Sequence, residues 1–270
     1  MGGAGSTGIE TPRNPGQGRL DLAETILALA QEVDPGIDLP GQRALLHRLV
    51  THLRLRTPPT SHVGDRVYLL NEYLFAEEGF TVAVSVGDPR GEFLDRILER
   101  RRGGPVGLTV LYLSLADQLG LTLEPVALGG HLFARLQAAG GEVFLDPANG
   151  GVSLFRQELA RAVSAVGNRS TRPVPLDGRG MVARFLREVK AGFLVQGDLE
   201  HALWAVNRLL ALDPDEAPEL RERARLHEGM HEYAAAIADY HRYLERLPSA
   251  NDAEAVRGRL DHLCRAARLH

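Results

Sequence analysis

Cysteine is almost absent from this chain of 270 residues: Cys264 is the single one. No disulfide can form within it, and its use of cysteine fits a reducing, cytoplasmic compartment. A basic excess is also missing. Against 31 Lys and Arg stand 35 Asp and Glu, for a formal charge of -4 and a sequence pI of about 6.2. That balance offers no electrostatic footprint for nucleic acid. No uninterrupted apolar run reaches the ~18 residues that would mark a membrane span, so no membrane partner is expected. The opening "MGGAGSTGIETPRNPGQG" lacks a charged segment followed by an apolar one, so it is no secretory signal. It reads as a disordered Gly-rich arm over 1–18.

What the chain does contain is ordinary globular material, 44% hydrophobic and 24% charged, enough for two compact domains with separate cores. In "LDLAETILALAQEVDPGIDL", Leu22, Ile26, Leu27, Leu29 and Ala30 form one helical stripe that Pro35 and Gly36 end. Further helices are predicted over Pro40 to Leu55 and Gly64 to Glu78, with the breakers "RTPPTSH" between them. After a turn at Asp88 and Pro89, a short helix turns Phe93, Leu94 and Ile97 inward and leaves Arg100 to Arg102 as a solvated end.

From Pro105 a helix carries Leu108, Leu111, Tyr112, Leu115 and Leu119 at spacings of three and four and ends at Gly120. Val110 and Leu113 make it apolar nearly all round. "TLEPVALGGHLFARL", the turn "QAAG" and "GEVFLDPANGG" read as short strands and a Gly-rich loop. The fold class is therefore α+β, helices packed on a small antiparallel sheet, over 19–163. "SAVGNRSTRPVPLDGRG" is rich in Gly, Pro, Ser and Arg without periodicity, a linker over 164–180. Beyond it, over 181–270, the pattern is all-α, and it repeats. "GDLEHALWAVNRLLALDP" aligns with "HEYAAAIADYHRYLERLP", matching Ala202 to Ala236 and Pro214 to Pro248. The period of ~34 and the small residue where paired helices meet resemble tetratricopeptide repeats. Two repeats plus a polar-faced cap, "DAEAVRGRLDHLCRAARL", fall short of the three that such arrays usually need.

A four-residue turn, Gln137 to Gly140, would set Leu136 opposite Gly141 and His131 opposite Asp146, bringing an imidazole and a carboxylate into hydrogen-bonding reach. Such a pair can be the orienter and base of a nucleophilic triad, or a polar brace between strands. A third member would stand at the N-terminus of the helix beginning near Pro105, where the dipole favours a thiolate or oxyanion. In "DPANGG", Asn149 and Gly150 form either an anion-binding nest of backbone amides or a plain turn. The histidines present no ligand set: His227 and His231 share a helical face without matching carboxylates, so no metal is expected. No cofactor is expected either.

The helix start before "LYLSLADQLGL", with His131 on one strand and Asp146 at the end of the next, resembles the transglutaminase-like superfamily, whose triad is Cys, His and Asp in chain order. "LNEYLFAEEGF", "GEFLDRILERRRGGPV", "GGHLFAR" and "FLDPANGG" in this order, followed by repeats, resemble the bacterial family of regulators of sirC expression. The resemblance spans roughly Leu20 to Pro248. It implies a papain-like or transglutaminase-like core over 19–163, base and orienter at His131 and Asp146, and a nucleophile position near Gly107, which has no side chain. Thr109 points about 200° away along the helix, and Cys264 reads as a small apolar residue in the last helix.

Two functions follow. One is a non-catalytic protein whose helical repeats bind a protein or peptide. The other is an acyl-transfer or amide-hydrolysing enzyme in which His131 and Asp146 serve a nucleophile other than cysteine. Direct control of transcription, suggested by the family label alone, is opposed by the acidic charge. A small-molecule ligand is not legible.

Overall fold

A computed structural model describes residues 21–83, 88–138, 140–165 and 172–267. The arm over 1–18 and the stretch 166–171 of the expected linker lie outside them. The chain divides into two compact units. One comprises Thr11–Val86 and Arg90–Phe185; the other is built mainly on Leu186–His270.

The first unit opens with α1 (Leu22–Val33), α2 (Leu39–Arg56) and α3 (Val63–Asn71). The stripe on α1 is buried as its spacing requires, with Ile26 and Leu27 at 0% exposure, and the Asp21 and Asp38 carboxylates cap α1 and α2. α3 continues as a π-helical stretch, Glu72–Glu77, within the expected third helix. β1 (Thr81–Val82), a 3-10 turn Pro89–Glu92, α4 (Leu94–Arg100) and β2 (Arg102–Gly103) lead to α5 (Pro105–Gln118). β1 and β2 pair in parallel, a small ladder that the sequence pattern does not announce. α5 is the axis of the core: Val106, Leu108, Val110, Leu111, Tyr112 and Leu115 are buried, and it packs against α1, α2, α3, α4, β3 and β4. A helix apolar all round is stable only when covered on every side.

The main sheet contains β3 (Leu123–Leu128), β4 (His131–Ala138), β5 (Gly141–Asp146), β6 (Val152–Phe155) and β7 (Val174–Pro175), in the order β6-β5-β4-β3-β7. All of its pairings are antiparallel. Gly129 and Gly130, both at positive φ, form the tight turn between β3 and β4 that mirror-image hairpin turns demand. α6 (Arg156–Ala165) follows β6, and its Leu159 joins Val126, Leu128, Phe133 and Phe144 in one cluster on the sheet. β7 pairs with β3 inside the stretch expected to be linker. Val174 and Pro175 give that edge a short strand, and the Asp177 carboxylate then caps the first turn of α7 (Gly178–Gln196).

The second unit is all-α: the later part of α7, then α8 (Leu199–Leu212), α9 (Ala217–Gly229), α10 (Tyr233–Arg246) and α11 (Ala253–Ala267). α8 and α10 begin and end 34 positions apart, and the small residues Ala202 and Ala236 are both fully buried where neighbouring helices close in. Two nearly buried carboxylates tie the helices. Glu219 of α9 accepts from Lys190 of α7 at 2.7 Å, and Asp239 of α10 takes a two-pronged pair from Arg223 of α9 at 2.6 and 2.7 Å. No described helix is long and apolar enough to cross a membrane.

Candidate functional site

The helix start singled out by "GGPVG" is closed. Gly104 is the N-cap of α5 and has no side chain with which to bond the first-turn amides. The Glu92 carboxylate does so instead: the Gly107 N–H donates to Glu92 Oε2 at 2.7 Å, out of solvent. Glu92 is only 6% exposed. A buried anion at a helix N-terminus is stabilised by the free amides and the dipole together. The hydrogen-bond acceptor that a thiolate or oxyanion would place there is already supplied by the chain.

Gly107 is a glycine because nothing larger fits. A Cβ built on it would meet the Glu92 carbonyl oxygen at 2.3 Å and Ile97 Cδ1 at 2.4 Å, and one on Gly104 would stand 1.8 Å from Glu92 Oε1. Thr109 is fully buried, with its hydroxyl donating to Pro105 O at 2.8 Å.

The β4–β5 hairpin departs from the four-residue turn expected. Ala138 pairs with Gly141 and Leu136 with Val143, so two positions lie in the turn and the register moves by two. Extended along the strands, that register sets Asp146 beside Phe133 rather than His131. The cause is local: Gly141 adopts φ +121, letting the chain reverse over two positions instead of four, with β4 paired as far as Ala138. A shift of two preserves the face, so His131 and Asp146 remain on the same side of the sheet as diagonal neighbours, about 7–8 Å apart at Cα. Among the described residues no hydrogen bond joins their side chains. His131 is exposed and Asp146 half-buried. The core cluster on that face, completed by Leu159 of α6, contains no residue of α5.

Burial pushes the Asp146 carboxyl above its ordinary 3.8, while the amides of Ala148 and Asn149 and, more weakly, His131 pull it back. Folding therefore favours its protonated form, and the ionised form costs stability at neutral pH. Asp146→Asn, which keeps an acceptor oxygen, is expected to melt at or above the parent's temperature at pH 7, the gain vanishing as pH falls toward 3.8. Thermal melts across that range check it; a loss of stability at pH 7 would mean that the charge itself is used.

The loop after Asp146 is a 3-10 turn, Pro147–Asn149, followed by Gly150 and Gly151 at positive φ. Its amides serve the chain's own groups: the Gly151 N–H donates to Asp146 O at 2.8 Å, and those of Ala148 and Asn149 lie against the Asp146 carboxylate. Asn149 and Gly150 themselves are exposed. The loop is anchored by a residue that the sequence did not single out. Asn71 donates to Gly151 O at 2.9 Å and accepts from the Tyr112 hydroxyl at 2.7 Å, linking α3, α5 and the loop. Only the motif "LNEYLF" hinted at it, as Glu92 was hinted at by "GEF".

In the second unit, His227 Nδ1 lies 2.5 Å from a Glu232 carboxylate oxygen and His231 Nδ1 2.9 Å from the Tyr233 hydroxyl. Cys264 is half-buried. A cavity of about 850 Å³ in the first unit is bordered by Leu46, Val50, Leu113, Asp117 and Leu123, but not by Gly107, His131 or Asp146.

The profile of the transglutaminase-like superfamily matches residues 42–187, more than half of the chain. The chain belongs to the transglutaminase-like superfamily. A tetratricopeptide-repeat profile matches residues 189–261, so this transglutaminase-like core is followed by a repeat region, as the sequence implied. Among curated relatives, a UPF0162 protein of Xylella fastidiosa (strain Temecula1 / ATCC 700964) is 29% identical over 250 residues, covering 89% of each chain. Protein SirB1 of Salmonella typhimurium is 24% identical over 239 residues, covering 83% of this chain and 87% of its own. Of solved structures, a crystal structure of menin aligns with a TM-score of 0.46 and 16% identity, over 89% of this chain and 67% of that one. Within this transglutaminase-like chain, the position that the resemblance assigns to a nucleophile is thus a close-packed glycine under a buried carboxylate.

Proposed function

We propose that this chain is a non-catalytic transglutaminase-like protein that binds a protein or peptide through its tetratricopeptide-repeat unit, in the cytoplasm. The observation that carries the reading is the Glu92 carboxylate seated on the Gly107 amide. It fills the helix terminus, while the Glu92 carbonyl oxygen and Ile97 leave no room for a side chain on Gly107. His131, exposed and without a hydrogen bond to Asp146 among the described residues, serves as a surface residue at the start of β4, and Asp146 organises its own turn. Tetratricopeptide repeats generally mediate protein interactions, and the helical unit carries that role here.

The alternative is an acyl-transfer or amide-hydrolysing enzyme using His131 as base and Asp146 as orienter, with water or a substrate group as nucleophile. It draws on their shared sheet face and on the field of His131 at Asp146. The full-length protein is expected to show no hydrolysis of peptide amides and no transfer of a labelled amine to a glutamine-containing peptide. Turnover that disappears in His131→Ala would establish the alternative.

A further inference from the structure

In the repeat unit α9 and α11 both pack on α10, and a groove of about 660 Å³ opens between them over Tyr240. Three guanidinium groups line it, Arg221 and Arg225 one turn apart on α9 and Arg259 on α11, against two carboxylates, Glu228 and Asp252. Both carboxylates are already satisfied. Glu228 is paired with Arg259 and takes the Tyr240 hydroxyl at 3.1 Å; Asp252 is paired with Arg221 and takes the Tyr243 hydroxyl at 2.5 Å.

One cation is left over. Arg225 makes no ion pair or hydrogen bond among the described residues, and its charge is felt at the Tyr240 hydroxyl on the groove floor. Beside it, Arg221 Nε is buried with no hydrogen-bond partner among the described residues. The surplus cation inverts, within this groove, the sign of a chain whose formal charge is -4. At the groove's end His231, a non-glycine at φ +63, holds its ring on the Tyr233 hydroxyl, a strained backbone of the kind that recurs at ligand sites.

We propose that the groove between α9 and α11 captures an acidic peptide segment of a partner protein, with one of its carboxylates pairing with Arg225. The proposal rests on the reading of the helical unit as a peptide-binding module. Guanidinium groups match carboxylates in a fixed fork geometry, and a few acidic side chains suit a single surplus charge. A nucleic acid needs an extended basic stripe, and here it would meet the repulsion of an acidic chain.

Fluorescence anisotropy with the full-length protein tests it, using a labelled peptide of alternating Glu and Ser and matched peptides with Gln or Lys in place of Glu. The Glu peptide is expected to bind about ten-fold or more tighter than the Gln peptide and to weaken with salt. Arg225→Glu should lose about ten-fold in affinity. Its melting temperature should match the parent's, since Arg225 holds no ion pair to lose. Arg48→Glu, with the same net charge change on the exposed side of α2, should bind as the parent does. Equal binding of the Glu and Gln peptides, equal weakening by the two variants, or tighter binding of a single-stranded oligonucleotide would overturn the acidic specificity. If none of the three peptides binds, the peptide-binding reading itself fails.

Discussion

Gly107→Ala and Gly107→Cys are expected to destabilise the protein by about 3 kcal/mol or more, against the usual sign of such a change. In an ordinary helix, replacing glycine by alanine gains about 0.5–1 kcal/mol, because the unfolded chain loses freedom. At Gly107 the added Cβ stands 2.3 Å from a backbone carbonyl oxygen, that of Glu92, and 2.4 Å from Ile97 Cδ1. Ile97 can turn away, but the carbonyl can move only if the 3-10 turn carrying Glu92 shifts, and that turn holds the carboxylate on α5. Denaturant titration of both variants measures the loss. Iodoacetamide labelling of Gly107→Cys in a Cys264→Ser background is expected to be slow in the native state and complete only on unfolding. A stable variant whose thiol reacts rapidly near pH ~6.5, and more slowly when His131 is also replaced by Ala, would restore the helix start as a nucleophile site.

Removing the carboxylate from the other side of this contact should cost as much. Glu92→Ala orphans the buried Gly107 N–H, forfeits a charge-assisted hydrogen bond of about 1.5–3 kcal/mol and leaves a cavity, for a total near 3–4 kcal/mol. Glu92→Gln keeps the shape and an acceptor oxygen but gives up the interaction of a full charge with the helix terminus, so a loss of about 1–2 kcal/mol is expected. The order parent, Gln, Ala in unfolding free energy is the diagnostic result. If Ala were as stable as Gln, the carboxylate would be packing filler rather than the cap of α5, and the closed helix start would lose its explanation.

Local pattern predicted much of the fold. The stripe of Leu22, Ile26 and Leu27 marks α1, the all-round apolar run from Pro105 marks a buried α5, and the match of Ala202 with Ala236 marks helices that begin 34 positions apart. Each signal lies within a few turns of chain, where side-chain spacing and burial are directly coupled. The candidate site was less legible. That His131 and Asp146 share a face followed from strand parity. Their separation did not, because the register depends on how two positions and the left-handed Gly141 turn the chain. Nor did Pro-rich and Gly-rich composition reveal β7, a strand that exists only because β3 offers an edge to pair with.

By itself, the sequence determined where helices run, that a small antiparallel sheet follows the buried helix, that a repeat region closes the chain, and that no cysteine stands at the helix start. Tertiary structure decided what that helix start is. Glu92 and Gly107 are 15 positions apart, with α4 and β2 between them, and no periodicity in the chain expresses such a contact. It arises when the loop before α4 folds back over the N-terminus of α5, where unpaired amides and the helix dipole make a buried carboxylate favourable. The surplus charge of Arg225 is equally a product of folding, since the two carboxylates in its groove are claimed by Arg221 and Arg259.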